Sequence, residues 1–487
     1  MLENKIRKFV LRKGLLQGSP FLFSEIGQFI LPGACFVYIL LRAIKIPITH
    51  DEAGTILNFS TQSVWNIISY QDPIPNNHLL NTLLIKLSTT LFGFNALSCR
   101  LPNIVAGLIF LLTSYKISYI LFKMALLRFV FQILMISNPY VIEFFSLARG
   151  YGLSISLMTL SLYFLLLETE RKILLAILFG ALATYANITQ LNYLIPLLAI
   201  ILYWSVSQRF LTRTFILKSL SILLIMSGLL VIPILKMIRT NQFSYWGNSG
   251  FWNETFLPLL KSSVQGEGYF SGMTTTIFIL VIVLSLLYSV LKLMYRWCGN
   301  EDNISNSLIL NFVFFGAIVY NVAQHYMFDI PYLNARTAIF FYPLYILAVS
   351  SNITGLNNKK FNKGMIIYAL FGVFGLLHIS RTYNLHSSYE WWYDGDNKKV
   401  IDKLERSRTE KPVSFKCNWL FQPSLTYYIK AEKHNKILPP PYQKSIDTSE
   451  LVDYYYITSD DLNDWFRQNY IVDTSYAWNS RYLMKKK

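Results

Sequence analysis

Charge is scarce in this sequence. Only 15% of its 487 residues are Asp, Glu, Lys or Arg, where a soluble domain carries about 25%. Acids are the rarer sign, 27 against 44 Lys and Arg, for a net charge of +17. Cysteine is rarer still. Cys35, Cys99, Cys298 and Cys417 are too few for a rich disulfide framework and show no metal-ligand spacing, so they read as isolated packing thiols. There is no internal repeat and no low-complexity stretch. The first apolar segment has no small-residue cleavage site after it, so it reads as a retained span and not as a signal peptide.

What the chain has instead is apolar bulk: 53% hydrophobic and 16% aromatic residues. Apolar runs that approach or reach the roughly 20 residues needed to cross a bilayer lie at 27–41, 104–121, 153–167, 173–186, 191–206, 219–235, 275–294, 308–322, 338–349 and 365–378, with a weaker one at Ala125–Ile136. The expected fold class is an α-helical polytopic membrane protein with about eleven transmembrane helices. The positive charge then has a simple origin, because Lys and Arg collect in cytoplasmic loops. Lys5, Arg7, Lys8, Arg12 and Lys13 place the N-terminus inside. Threading eleven spans from there puts Lys123, Arg171, Lys172, Arg209, Arg213, Lys218, Lys292, Arg296, Lys359, Lys360 and Lys363 inside too. Arg42, Lys45, Lys236 and Arg239 break the pattern. A basic balance explained by topology leaves no reason to invoke nucleic acid. The expected setting is the plasma (inner) membrane, with the C-terminal segment extracytoplasmic.

Two regions follow: a membrane region at 1–380, with long outer loops at 44–100 and 236–272, and a C-terminal extracytoplasmic domain at 381–487. Long loops that do more than connect usually carry function. Within the first, residues 51–70 and 78–92 have apolar residues at helical spacing, and Gly93 stops the second run. Both read as interfacial helices, as does 251–264. The tail has ordinary polar composition. Helix-like 400–406 and 424–431, with strand-like 412–417 and 452–457, predict a small α/β domain. Its many aromatics, among them Tyr427, Tyr428, Tyr442, Tyr454, Tyr455, Tyr456, Trp465, Tyr470, Tyr476 and Trp478, suit either a compact core or contact with sugar or bilayer.

Pro47-Ile48-Thr49-His50-Asp51-Glu52-Ala53-Gly54 is the sharpest local feature. Thr49 with Glu52 is a capping box, and acids favour a helix start in any case; this accounts for Glu52 better than for Asp51. The functional alternative makes Asp51 a general base that takes a hydroxyl proton while a sugar is transferred, with a carboxylate also balancing an oxocarbenium-like transition state. Charge growing on a phosphate leaving group would call for cations or a metal. His78, Arg149, Arg336 and Arg100 are the candidates on the same side. Snorkelling at the headgroups is the plain alternative for each arginine, and a polar helix start is that for His78.

The acid pair just after the first span resembles the GT-C superfamily of membrane glycosyltransferases. The branch is that of protein O-mannosyltransferases and lipid A aminoarabinose transferases. Asn77-His78-Leu79-Leu80, Phe92-Gly93 and Arg100-Leu101-Pro102 look like its first-loop pattern, and Ala148-Arg149-Gly150-Tyr151 like its next outer-loop motif, over residues 20–350. Leu79 stands where relatives commonly have proline. The resemblance implies a polyprenyl- or dolichyl-phosphate sugar donor, inverting transfer, and a lipid, glycan or protein acceptor on the outer face. It implies Asp51 as the catalytic carboxylate, Glu52 as its partner in the sugar site, and His78, with Arg149 and Arg336, near the donor phosphate. No cofactor follows from it, and a divalent metal stays an open alternative. Competing readings are a transporter or flippase of lipid-linked saccharides, which needs polar residues along a membrane path, and a non-catalytic scaffold.

Overall fold

The structure, a computed structural model, describes residues 25–207, 212–242, 247–265, 272–298, 305–353, 363–407, 412–477 and 480–487. Lys5, Arg7, Lys8, Arg12, Lys13, Arg209, Lys359, Lys360 and Trp478 lie outside them. Nine of the eleven apolar runs fall within single helices; 153–167 overruns Gly150–Leu165 by two residues, and 338–349 crosses a turn between Ala335–Ala338 and Phe341–Ile353. Among the described residues six helices are long and apolar enough to cross a membrane: Gly27–Lys45, Ala96–Leu121, Ile188–Val206, Arg213–Arg239, Asn306–Phe328 and Gly364–Thr382. A seventh crossing arises if Ala125–Ile136 is joined to Pro139–Ser146 across a 69° bend. The bend has a local cause. Asn138 caps the second piece by accepting from the Tyr140 and Val141 amides, and Pro139 sits at the first helical position, where its missing N–H costs nothing.

Several helices extend past their apolar runs. Ala96–Leu121 starts eight residues before the run at 104, because Asn95 accepts the Ser98 amide and fixes the start. That extension carries Arg100 inside the helix. Leu79–Phe92 ends at Gly93, whose φ of 84° admits little but glycine. Residues 51–70 are not one helix. A turn of α-helix, His50–Gly54, runs into a π-helical segment, Thr55–Ser60, and after a break Ser63 caps Val64–Ile68.

Polar side chains join the apolar helices. Asn311 and Asn352 exchange hydrogen bonds with Ser307 and Ser289 inside the bundle. Every member is satisfied locally, which suits interhelical adhesion better than a conducting path.

Residues after Thr382 form a small sheet domain. Strands β1 (Phe415–Cys417), β2 (Tyr454–Thr458), β3 (Tyr470–Tyr476) and β4 (Arg481–Lys486) lie in the order β1-β2-β4-β3, with only the β1–β2 pair parallel. Helices Asn397–Ser407 and Gln422–Ala431 confirm the helical expectations there, whereas β3, β4 and Asp464–Asn469 were not foreseen. The aromatics are mostly core. On one face Tyr454 and Tyr456 pack with Phe421 and Leu425, and on the other Tyr455 packs with Phe466 and Tyr470.

The first of these clusters also contains Ile48, Ala53 and Ile56. The domain therefore shares its core with the segment that carries Asp51. Directional bonds fix the register: the Ile48 amide donates to the Tyr428 hydroxyl at 2.8 Å, Ser424 donates to the Ile48 carbonyl at 2.5 Å, and the His50 amide donates to Asp394 at 2.7 Å.

Candidate active site

Thr49 and Glu52 form the expected capping box. The Thr49 hydroxyl accepts from the Glu52 amide, and the Glu52 carboxylate accepts from the Thr49 amide. Glu52 does more than cap. It is fully buried and takes two bonds from Arg100, at 2.8 Å to Oε1 and 2.7 Å to Oε2. The Ala148 amide donates to it at 2.6 Å. Arg100 uses its remaining donors on the Ala43, Ile46 and Pro47 carbonyls, at the end of the first helix. The Ala43 carbonyl is an orphan acceptor of the helix terminus, and the Ile46 and Pro47 carbonyls belong to the chain just beyond it. The pair thus joins the first span, the Asp51 segment and the Arg149 segment into one block. Arg100, a candidate phosphate ligand on sequence, has no donor left for one. The carboxylate of Glu52 is likewise committed to protein groups and lies away from solvent.

Asp51 faces the other way. Its side chain keeps 16% exposure and lies 3.4 Å from Arg149 and 3.2 Å from Arg336. Burial works to raise its pKa. The charges of Arg149, Arg336 and His50 and a bond from Trp391 outweigh that and hold the carboxyl below its usual value. Arg149 is buried and is braced by the Thr55 hydroxyl at 2.9 Å. Arg336 is a third exposed and stacks over Trp391 at 5.3 Å. It reaches the site from a short 3-10 turn, Ala335–Ala338, capped by Asn334, which in turn donates to Glu254 of the second long loop.

His78 is buried, and burial followed by the charges of Arg149 and Arg336 pushes its pKa well below the ordinary range. It is a neutral ring, so it offers hydrogen bonds and not charge. Its ring meets Tyr151 edge-on at 4.8 Å. Gly150 explains the glycine in Ala148-Arg149-Gly150-Tyr151. A Cβ there would come 2.6 Å from His78 Cβ and press on the Ala186 carbonyl oxygen, and backbone cannot yield as a flexible side chain can. We expect Gly150→Ala to displace His78 and to lower the melting temperature of the purified protein, an overpacking penalty of about 1–3 kcal/mol; an unchanged melting curve would contradict the close contact.

Two participants escaped the sequence reading. Glu390 takes a 2.7 Å ion pair from Arg336 and a hydrogen bond from the Tyr140 hydroxyl. Trp391 adjoins Asp51. Both stand just past the last apolar helix, in Tyr389-Glu390-Trp391-Trp392, where a lone acid among aromatics was the available signal. Buried Arg42 helps to place them: it donates to the Asn384 and Ser387 carbonyls and pairs with Glu143, which accepts the Tyr389 amide. This also accounts for Arg42 as an exception to the charge pattern, since it is a structural cation. From the sheet side, Arg481 of β4 grips the Trp392 and Tyr393 carbonyls and Asp396.

Among the described residues no three His, Cys, Asp or Glu side chains gather as a metal site. Asp51 and Glu390 both face guanidinium groups.

No protein-family model matches the chain, and no curated protein matches it. Among solved structures it is similar to two of ArnT from Cupriavidus metallidurans, one bound to undecaprenyl phosphate and one in the apo state. They are 10% and 11% identical to it, each with a TM-score of 0.49 over 94% of this chain and 97% of that chain. It is also similar to the oligosaccharyltransferase of Archaeoglobus fulgidus, crystallised with zinc and sulfate: 10% identical, TM-score 0.43, over 88% of this chain and 68% of that one.

Proposed function

We propose that this chain is an inverting membrane glycosyltransferase that moves a sugar from a polyprenyl-phosphate donor to a hydroxyl acceptor on the outer face of the membrane. The observation that carries the reading is Asp51 itself: a partly open carboxylate, next to a bundle of apolar helices, facing two arginines from separate segments. The first-loop resemblance to GT-C enzymes points the same way.

The chemistry follows from the charges. Arg336 and Arg149 attract the donor phosphate and stabilise the negative charge that grows there as the anomeric C–O bond breaks. In moving to phosphate they leave Asp51, whose basicity then rises. Asp51 accepts the acceptor hydroxyl proton as that oxygen bonds the anomeric carbon from the opposite face, and polyprenyl phosphate departs. Glu52 and Arg100 act at one remove by holding this geometry. The acceptor and the identity of the sugar are selected by the loops and the sheet domain around the site.

Binding tests the donor half of this reading. Undecaprenyl phosphate should stabilise the purified protein thermally. Arg336→Ala should weaken it by about 10- to 100-fold, the loss of one charge-assisted contact of about 1.5–3 kcal/mol. Equal affinity in the two proteins would remove Arg336 from the phosphate site.

A further inference from the structure

Arg336 is shared between two acids. Its Nη1 lies 2.7 Å from a carboxylate oxygen of Glu390 and 3.2 Å from one of Asp51. Arg149 pairs with Asp51 at 3.4 Å. Joined in this way, two guanidinium groups face two carboxylates, and the charges of the cluster balance before any donor arrives. A phosphate must therefore draw a cation away from an acid. The exposures say which cation can turn. Arg149 is 1% exposed and braced by Thr55, whereas Arg336 is 34% exposed.

Glu390, unlike that arginine, is held from behind. The hydroxyl of buried Tyr140 donates to its other carboxylate oxygen. The preceding Tyr389 amide donates to Glu143 at 3.1 Å, and Glu143 pairs with buried Arg42. The following Trp391 is buried, with the Arg336 guanidinium over its ring. A carboxylate fixed through its own oxygen and through both neighbours stays in place when its partner swings away.

The transfer chemistry gives such an acid a task. The donor is a phosphodiester with one negative charge. Breaking the anomeric C–O bond leaves a phosphate monoester, which carries about −1.5 to −2 at pH 7. The spent carrier thus attracts the arginines more strongly than the donor does, and release becomes the harder step.

Resting on the donor reading above, we infer that Glu390 is a positioning residue that competes with the lipid phosphate for Arg336: it holds the arginine beside Asp51 while the site is empty and draws it back when polyprenyl phosphate departs.

The test measures affinity for undecaprenyl phosphate, the spent carrier itself, and so needs no knowledge of the sugar. Full-length wild type, Glu390→Gln, Glu390→Ala, Arg336→Ala and the double variant Glu390→Gln/Arg336→Ala are titrated. Undecaprenol, which lacks the phosphate, is the control for the chain. Gln keeps the length of the side chain and an oxygen for the Tyr140 hydroxyl. Both Glu390 variants are expected to bind undecaprenyl phosphate about two- to fivefold tighter than wild type, the range for one partly exposed ion pair, through slower dissociation. The gain should vanish when Arg336 is alanine, because the acid acts through the arginine. A contact that served only structure would weaken binding when cut, so a gain separates the two roles. Unchanged or weaker binding, or loss of fold in both Glu390 variants, would make Glu390 a structural anchor and overturn the inference, while the donor reading stands on the loss in Arg336→Ala. A gain that persists in the double variant would overturn it too, since the acid would then act on the phosphate directly, and so would an equal gain for undecaprenol. If undecaprenyl phosphate binds no form of the protein, the donor reading itself fails, and this inference with it.

Discussion

Asp51→Asn should abolish transfer while leaving the protein folded. General-base catalysis contributes about 10²–10⁴-fold, and the carboxamide keeps the size of the side chain but neither its charge nor its basicity. In cells carrying the variant, mass spectrometry of lipid-linked sugars and envelope glycans should show one polyprenyl-phosphate sugar accumulating and the same sugar missing from a glycan. Matching profiles at normal protein level would reduce Asp51 to an ion-pair partner and move a transporter or scaffold ahead. A pH measurement separates the electrostatic role from the chemical one. The Asp51 pKa is lower in the folded protein than its ordinary value. Its pairing therefore stabilises the fold above the ordinary carboxylate range and is lost as pH falls through the lowered value. The melting temperature of Asp51→Asn should accordingly fall less on acidification than that of wild type.

Arg100→Met should have the largest effect on stability. It would strand Glu52, which is fully buried, and free three carbonyls at the end of the first helix. Removing one partner of a buried ion pair costs about 3–5 kcal/mol, comparable to much of the net stability of a typical domain. Low yield and a lowered melting temperature are expected. Glu52→Gln should also be destabilising, because a neutral amide replaces an acceptor of bonds from Arg100, Ala148 and Thr49. The double variant should recover part of the loss, since it no longer buries an unpaired charge. If Arg100→Met melts like wild type, the Glu52–Arg100 pair does not tie the first span to the loop. This prediction also distinguishes the neighbouring acids. Asp51→Asn should lower activity with little loss of fold, and Glu52→Gln should lower stability first.

The sequence by itself determined the helices and the first catalytic candidate. Apolar runs at 27–41 and 308–322 could bury their side chains only against one another or lipid, so their helical state followed from length and composition. The Thr49–Glu52 capping box was legible because it spans three residues of one chain segment. The π-helical turn at Thr55–Ser60 was not, since the apolar spacing around it also suits an ordinary helix.

Tertiary structure decided which charges meet. Arg100 and Arg336 looked alike on sequence, each a cation at the end of a span. One is consumed by Glu52 and helix-end carbonyls, while the other remains a third exposed beside Asp51. Glu390 lies 339 positions after Asp51 in the numbering and shares Arg336 with it. Local patterns report neighbours along the chain, whereas an ion pair depends on distance in space and on the burial around it. Only the packed fold supplies both.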